Sequence, residues 1–115
     1  MTTWQSMLPG LDEPLSISEA TARIKTRLES DPALSDLRVA GEIGNFTRAA
    51  SGHLYFTLKD AGASLRCVMF RSRAMALDFR PQEGMQVELR ATPALYEARG
   101  EFQLTIEAVR KAGQG

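Results

Sequence analysis

Gly41-Glu42-Ile43-Gly44-Asn45-Phe46, then Ser51-Gly52-His53-Leu54-Tyr55-Phe56-Thr57-Leu58-Lys59-Asp60, then Arg66-Cys67-Val68-Met69-Phe70-Arg71-Ser72-Arg73 read as three strands in succession. In the middle stretch Leu54, Phe56 and Leu58 alternate with His53, Tyr55, Thr57 and Lys59. Successive side chains of a strand point to opposite faces, so the first set fills a core and the second stays outside. In the third stretch Leu65, Cys67 and Met69 join the core, which leaves Arg66, Val68 and Phe70 on the other face. A sheet face carrying Tyr55, Arg66 and Lys59 offers a ring for stacking bases and cations for phosphates. That combination points to single-stranded nucleic acid.

On either side of this centre the chain is simple. Ser16-Ile17-Ser18-Glu19 has the spacing of a capping box, and Ile17, Ala20, Ile24 and Leu28 follow at helical spacing. Asp31-Pro32 stops the helix, since proline disfavours helical geometry in the residue before it. The helix, about 17–30, has one apolar stripe and is expected to lie against the core or a partner. Strand one runs from about Leu37 to Phe46, with Gly41 and Gly44 marking a bulge or sharp bend. The bend leaves Phe46 with two readings, stacking ligand or closing a barrel. Strands two (about 53–59) and three (about 63–70) are joined by the turn Asp60-Ala61-Gly62. Residues 71–78 read as a short helical turn. Strand four alternates Met85, Val87, Leu89 and Ala91 against Gln86, Glu88 and Arg90, with Pro93 at an edge or strand break. A hairpin turn near Ala98-Arg99-Gly100 leads to strand five, where Phe102, Leu104, Ile106 and Ala108 alternate against Glu101, Gln103, Thr105 and Glu107.

The order is helix, three strands, short helix, two strands. This is a mainly β architecture: a five-stranded OB-fold barrel preceded by an N-terminal α-helix, with a short helix between strands three and four. The ligand face of that barrel is formed by strands two and three and the flanking loops. Tyr55 and Arg66 fall there by alternation alone. An SH3-like barrel shares these ingredients but places no helix between strands three and four.

The chain of 115 residues suits one domain with a modest core. Residues 1–15, with Trp4, Pro9, Gly10 and Pro14, read as a flexible arm; Trp4 is either an anchor or merely exposed. Residues 16–110 form the helix and barrel, and 111–115 read as the start of a linker. Net charge is zero, but it is unevenly placed. Residues 37–73 carry six basic and two acidic side chains, against three and six in 1–36 and five and six in 74–115. A polyanion responds to that local excess rather than to the total. No apolar run approaches the roughly 20 residues that cross a membrane. The N-terminus lacks the pattern of a signal peptide, so a cytoplasmic setting is expected. The one cysteine, Cys67, forms no internal disulfide, and with one histidine builds no zinc site.

The quoted strings also resemble a family. Gly41-Glu42-Ile43-x-Asn45-Phe46, Ser51-Gly52-His53-x-Tyr55-Phe56-Thr57-Leu58-Lys59-Asp60, Arg66-Cys67-x-Met69-Phe70-Arg71, Phe79-Arg80-Pro81-x-x-Gly84 and Leu95-Tyr96-Glu97-x-Arg99-Gly100 are similar to the N-terminal OB domain of exodeoxyribonuclease VII large subunits. The match covers about residues 15–115. It implies a bacterial nuclease that degrades single-stranded DNA to short oligonucleotides without a strict need for divalent metal. It also implies small subunits carried on a long helical region elsewhere in the large subunit. The family's catalytic domain follows the OB domain, so no catalytic residue and no cofactor is assigned within this chain.

The candidate nucleic-acid-binding residues are Tyr55, Arg66, Lys59, Phe46, His53, Phe70, Arg71, Arg73, Arg48 and Arg99. Tyr55 is a stacking platform or a cross-strand partner of Phe70. Arg66 binds phosphate or stacks on a base, or pairs with Asp60 or Glu42. Lys59, Arg71 and Arg73 tune affinity as generic cations. His53 touches the nucleic-acid backbone or caps the Ser51–Gly52 turn. Cys67 is a buried small hydrophobe rather than a nucleophile. Two functions follow: a non-catalytic module that captures single-stranded DNA, or a docking and self-association domain of the large subunit, favoured by the helix stripe and Trp4.

Overall fold

The computed structural model describes residues 13–113. The expectations for Trp4 and most of the arm lie outside the described residues. Helix α1 (Ile17–Ser30) opens on a complete capping box. The Glu19 amide donates to Ser16 Oγ at 3.0 Å, and the Ser16 amide donates to Glu19 Oε1 at 2.9 Å. Asp31, in extended conformation, ends the helix and starts a single 3-10 turn over Pro32–Leu34, where its carboxylate accepts from the Ala33 amide at 2.8 Å.

Five strands follow: β1 (Leu37–Arg48), β2 (Leu54–Lys59), β3 (Ser64–Met69), β4 (Gln86–Tyr96) and β5 (Glu101–Lys111). A four-residue helix, α2 (Arg71–Ala74), sits between β3 and β4 and is shorter than the expected 71–78. The strands close into a barrel in the order β1-β2-β3-β5-β4. All pairings are antiparallel except β3 with β5, a parallel contact of Cys67 with Leu104 and Val68 with Thr105. This is the OB topology that the element order predicts.

β1 serves both halves of the ring. Residues 37–42 pair with β4 and residues 42–48 with β2. At the changeover Gly41 lets the chains close in, since a β-carbon there would lie 2.9 Å from Leu58 Cγ and 2.9 Å from the Lys59 carbonyl oxygen. The bulge itself falls just after Gly44, between Gly44 and Thr47, with Asn45 in the left-handed region at φ 49°. Asparagine tolerates that conformation better than most residues.

The core holds Ile43, Leu54, Phe56, Leu58, Cys67, Met69, Val87, Leu89, Ala91, Leu104 and Ile106. Burial pushes the Cys67 thiol up to about 12, so it stays protonated and inert. Three expectations need correction. Val68 faces outward between Tyr55 and Thr105 in register, yet it is only 1% exposed. Ala108 is exposed, because the β4 register steps from Arg90–Ala108 to Ala91–Ile106 and leaves Glu107 unopposed. After that bulge Val109, not Ala108, packs against the core. Of the two readings of Pro93 the break fails and the edge holds: β4 runs through it to Tyr96, past the end of its pairing with β1 at Ala91, and Pro93 is buried opposite Leu104.

The apolar stripe of α1 is not swallowed by the core. Ile17 is 84% and Ile24 60% exposed. The helix instead meets β4 through polar groups, where β4 has run past its pairing with β1. Lys25 Nζ donates to the Leu95 carbonyl at 3.3 Å, and the Leu95 amide donates to Glu29 Oε2 at 3.4 Å. Backbone groups left by the end of a ladder are thereby satisfied. No described helix is long and apolar enough to cross a membrane.

Candidate nucleic-acid interface

The β2–β3 ribbon presents Tyr55, Thr57 and Lys59 on one strand and Ser64 and Arg66 on the other. The register pairs Tyr55 with Val68, Thr57 with Arg66 and Lys59 with Ser64. Tyr55 and Arg66 are therefore diagonal neighbours, about 7–8 Å apart along the backbone. The Tyr55 side chain is open at 41% exposure. Its ring forms no aromatic pair among the described residues. Phe70, the alternative cross-strand partner, packs edge-on against His53 instead, with centroids 5.4 Å apart and planes at 88°.

His53 has a structural duty. Its Nδ1 accepts the Arg71 amide at 2.8 Å, satisfying a free donor at the start of α2. The sequence reading placed such a cap on the Ser51–Gly52 turn; the structure places it on α2. Phe46 closes the barrel. It is half-buried and stacks on core Phe56 at 6.3 Å between centroids. Its remaining surface lines a cleft with Arg48, Arg80, Pro81, Gln82 and Glu83. Glu83 holds that corner by accepting the Phe46 amide at 3.0 Å.

The cations divide into two groups. Lys59 pairs with Glu42 at 3.8 Å, Arg66 with Glu101 at 3.4 Å and Arg73 with Glu107 at 3.0 Å. The partner of Arg66 is thus Glu101 of β5. Asp60 is occupied in its own turn, where Oδ1 accepts the Gly62 and Ala63 amides at 2.8 and 2.9 Å. Arg48, Arg71 and Arg99 form no ion pair among the described residues. Arg71 lies along Gly52, where an added β-carbon would come within 3.1 Å of its Cγ. Arg99 stands apart at the tip of the β4–β5 hairpin, between exposed Tyr96 and Phe102.

Sequence reasoning missed Arg80, which the structure sets beside Arg48. The Phe79-Arg80-Pro81 string carried that signal, but its place next to β1 depends on how the connector folds back. Tyr96 and Phe102, the exposed hairpin aromatics, were also missed. Among the described residues no three His, Cys, Asp or Glu side chains gather as a metal site would need. The arrangement can stack a base and contact phosphates.

The model of the OB-fold nucleic acid binding domain matches residues 15–110. An exodeoxyribonuclease 7 large subunit from Ralstonia nicotianae is 58% identical over 101 residues, 88% of this chain and 22% of the relative. One from Thiobacillus denitrificans is 54% identical over 111 residues, 93% of this chain and 24% of the relative. The chain thus spans about a quarter of the length of these curated relatives. The second OB-fold domain of replication protein A from Methanococcus maripaludis superposes with a TM-score of 0.53 at 13% identity, covering 71% of this chain and 88% of that one. With barrel topology, helix placement and sequence agreeing, the chain belongs to the family of OB-fold nucleic acid binding domains, in the form that matches exodeoxyribonuclease VII large subunits.

Proposed function

We propose that this domain binds single-stranded DNA on its β2–β3 face and is itself non-catalytic. In the intact large subunit it delivers substrate to a separate part of the protein that hydrolyses phosphodiester bonds in single-stranded DNA. The small subunits attach through that other part, and the assembly works in the cytoplasm. The helix and barrel, 16–110, act as the binding unit. The observation that carries this reading is Tyr55: an open aromatic ring with no aromatic partner among the described residues, diagonal to a guanidinium and on the same strand as a lysine. Arg48, Arg71 and Arg73 add charge around it and Arg99 adds charge at the tip of the β4–β5 hairpin, while Phe70 and His53 border it.

The test is a titration of a fluorescent single-stranded oligonucleotide with the wild type, Tyr55→Ala and Tyr55→Ala/Arg66→Ala at two salt concentrations. Binding is expected in the micromolar range or weaker, on the order of non-specific binding at physiological salt. Tyr55→Ala is expected to weaken it by about 1–3 kcal/mol, the worth of one stacked base. With three or four phosphates neutralised, the log–log salt slope should be about −2 to −3, from about −0.7 per phosphate. A slope near zero, or unchanged affinity in the double variant, would remove the ligand from this face.

A second reading, docking or self-association, is favoured by one observation: Ile17 and Ile24 of α1 stay exposed. Sedimentation at high concentration decides it. A monomer that still binds DNA leaves the first reading alone in place.

A further inference from the structure

The β2–β3 ribbon is flanked by β1 on one side and β5 on the other, and each neighbour sends one carboxylate to a ribbon cation. Glu42 of β1 meets Lys59 Nζ at 3.8 Å, and Glu101 of β5 meets Arg66 Nη1 at 3.4 Å. We propose that Glu42 and Glu101 set the affinity of this face by occupying the positions that phosphates take. The inference rests on the nucleic-acid reading of the same face.

The physical case is one of competition. All four side chains keep at least 39% of their surface open to water, so each pair is screened and readily exchanged. An exposed pair of this kind favours contact by about fivefold at most. An incoming phosphate therefore displaces the carboxylate, but it forfeits that factor at each cation. The displaced carboxylate also recruits a counterion from solution. That offsets part of the counterion release which normally drives polyanion binding. Two carboxylates placed on opposite flanks lower affinity and salt dependence together without blocking Tyr55, which lies further along the ribbon opposite Thr47.

The site is not merely a balanced surface. Of the candidate cations without a carboxylate among the described residues, Arg48 and Arg71 lie at the end of the ribbon marked by Gly52 and the start of α2, away from both glutamates. Glu42 and Glu101 thus act on the Lys59–Arg66 part of the face, whereas Tyr55, opposite Thr47 and next to the Arg48–Leu54 pair, lies toward the open Arg48–Arg71 end. Other carboxylates form equally good pairs where no such face exists. Asp36 holds Arg90 at 2.9 Å, and Glu88 holds Arg110 at 2.7 Å. Both involve β4 residues, and β4 is two strands round the ring from β2 and from β3.

The experiment compares Glu42→Gln/Glu101→Gln with Asp36→Asn/Glu88→Gln, which makes the same charge change across the barrel. Both are titrated with the fluorescent oligonucleotide beside wild type and Tyr55→Ala. Glu42→Gln/Glu101→Gln is expected to bind about threefold to twentyfold tighter, from two exposed pairs. Its salt slope should steepen by about 0.7 to 1.4. Asp36→Asn/Glu88→Gln should stay within about twofold of wild type, because distant exposed charges are screened. Equal tightening in both double variants would overturn the proposal in favour of net charge alone. No tightening in Glu42→Gln/Glu101→Gln, with Tyr55→Ala still weakening binding, would overturn it and leave the face intact. Absence of binding by every form would overturn the face reading and this proposal with it.

Discussion

Gly41 shows how one missing carbon positions the candidate interface. β1 hands its pairing from β4 to β2 at this point, and a side chain would press on the Lys59 carbonyl and Leu58 together. Backbone cannot swing aside as a side-chain tip can. Gly41→Ala is therefore expected to lose about 1–3 kcal/mol of stability, the range for overpacking, read as a lower melting temperature. An unchanged melt would show that the strands have slack there. The sequence marked Gly41 as special but offered a bulge or sharp bend as the reason; bulge, bend and close approach all call for glycine, and only the register separates them. Tyr55 and Arg66 were legible on their face because period-two alternation needs only local sequence. The partner of Arg66 was not, since Glu101 is 35 residues away and reaches it through the parallel contact of β3 with β5. His53 was hidden for the same reason, its acceptor being spent on an amide 18 residues further on.

At the level of elements, α1 was readable because its signals are local: Ser16, Glu19 and the Asp31-Pro32 stop. The Ser16 amide, donating to Glu19, is the main cause holding that carboxyl below its ordinary range, with the Ser16 hydroxyl next. A depressed folded value stabilises the helix above the unfolded value, on the order of pH 4. The contribution fades as pH falls through the lowered folded value. Far-UV circular dichroism between pH 6 and pH 3 should show α1 fraying at the acid end, and Glu19→Gln should flatten that part of the curve. Ser16→Ala should cost the helix about 1 kcal/mol at neutral pH. Strand ends and faces were less legible. A pattern read as unbroken alternation cannot reveal Glu107, an extra residue that reverses the faces beyond it. Pro93 read as an edge or a break because proline donates no hydrogen bond. The Leu95 amide points away from β5 to Glu29, so the Pro93 nitrogen two residues earlier points the same way, past the end of the pairing with β1. There a missing donor costs nothing in the ladder.

For the molecule as a whole, the order of elements sufficed to name the barrel, since few closed sheets take three strands, a helix and a hairpin. The positive excess over 37–73 was legible too, but its strength was not: three of its six cations, Lys59, Arg66 and Arg73, meet carboxylates within 4 Å. Two of those carboxylates, Glu101 and Glu107, belong to the last strand, so the field depends on how the ring shuts. Four of its five joints are antiparallel and at least five residue pairs long; the fifth, β3 with β5, has two. That makes the seam a clasp. When the barrel breathes it should part there first, because fewest hydrogen bonds resist. Amide hydrogen exchange should then proceed faster for the backbone between Cys67 and Val68 and between Leu104 and Thr105 than along β1–β4. Glu101 leaves Arg66 in the same movement. An open clasp thus frees a guanidinium, and a strand of DNA laid across β3 would meet the domain at its loosest stitch.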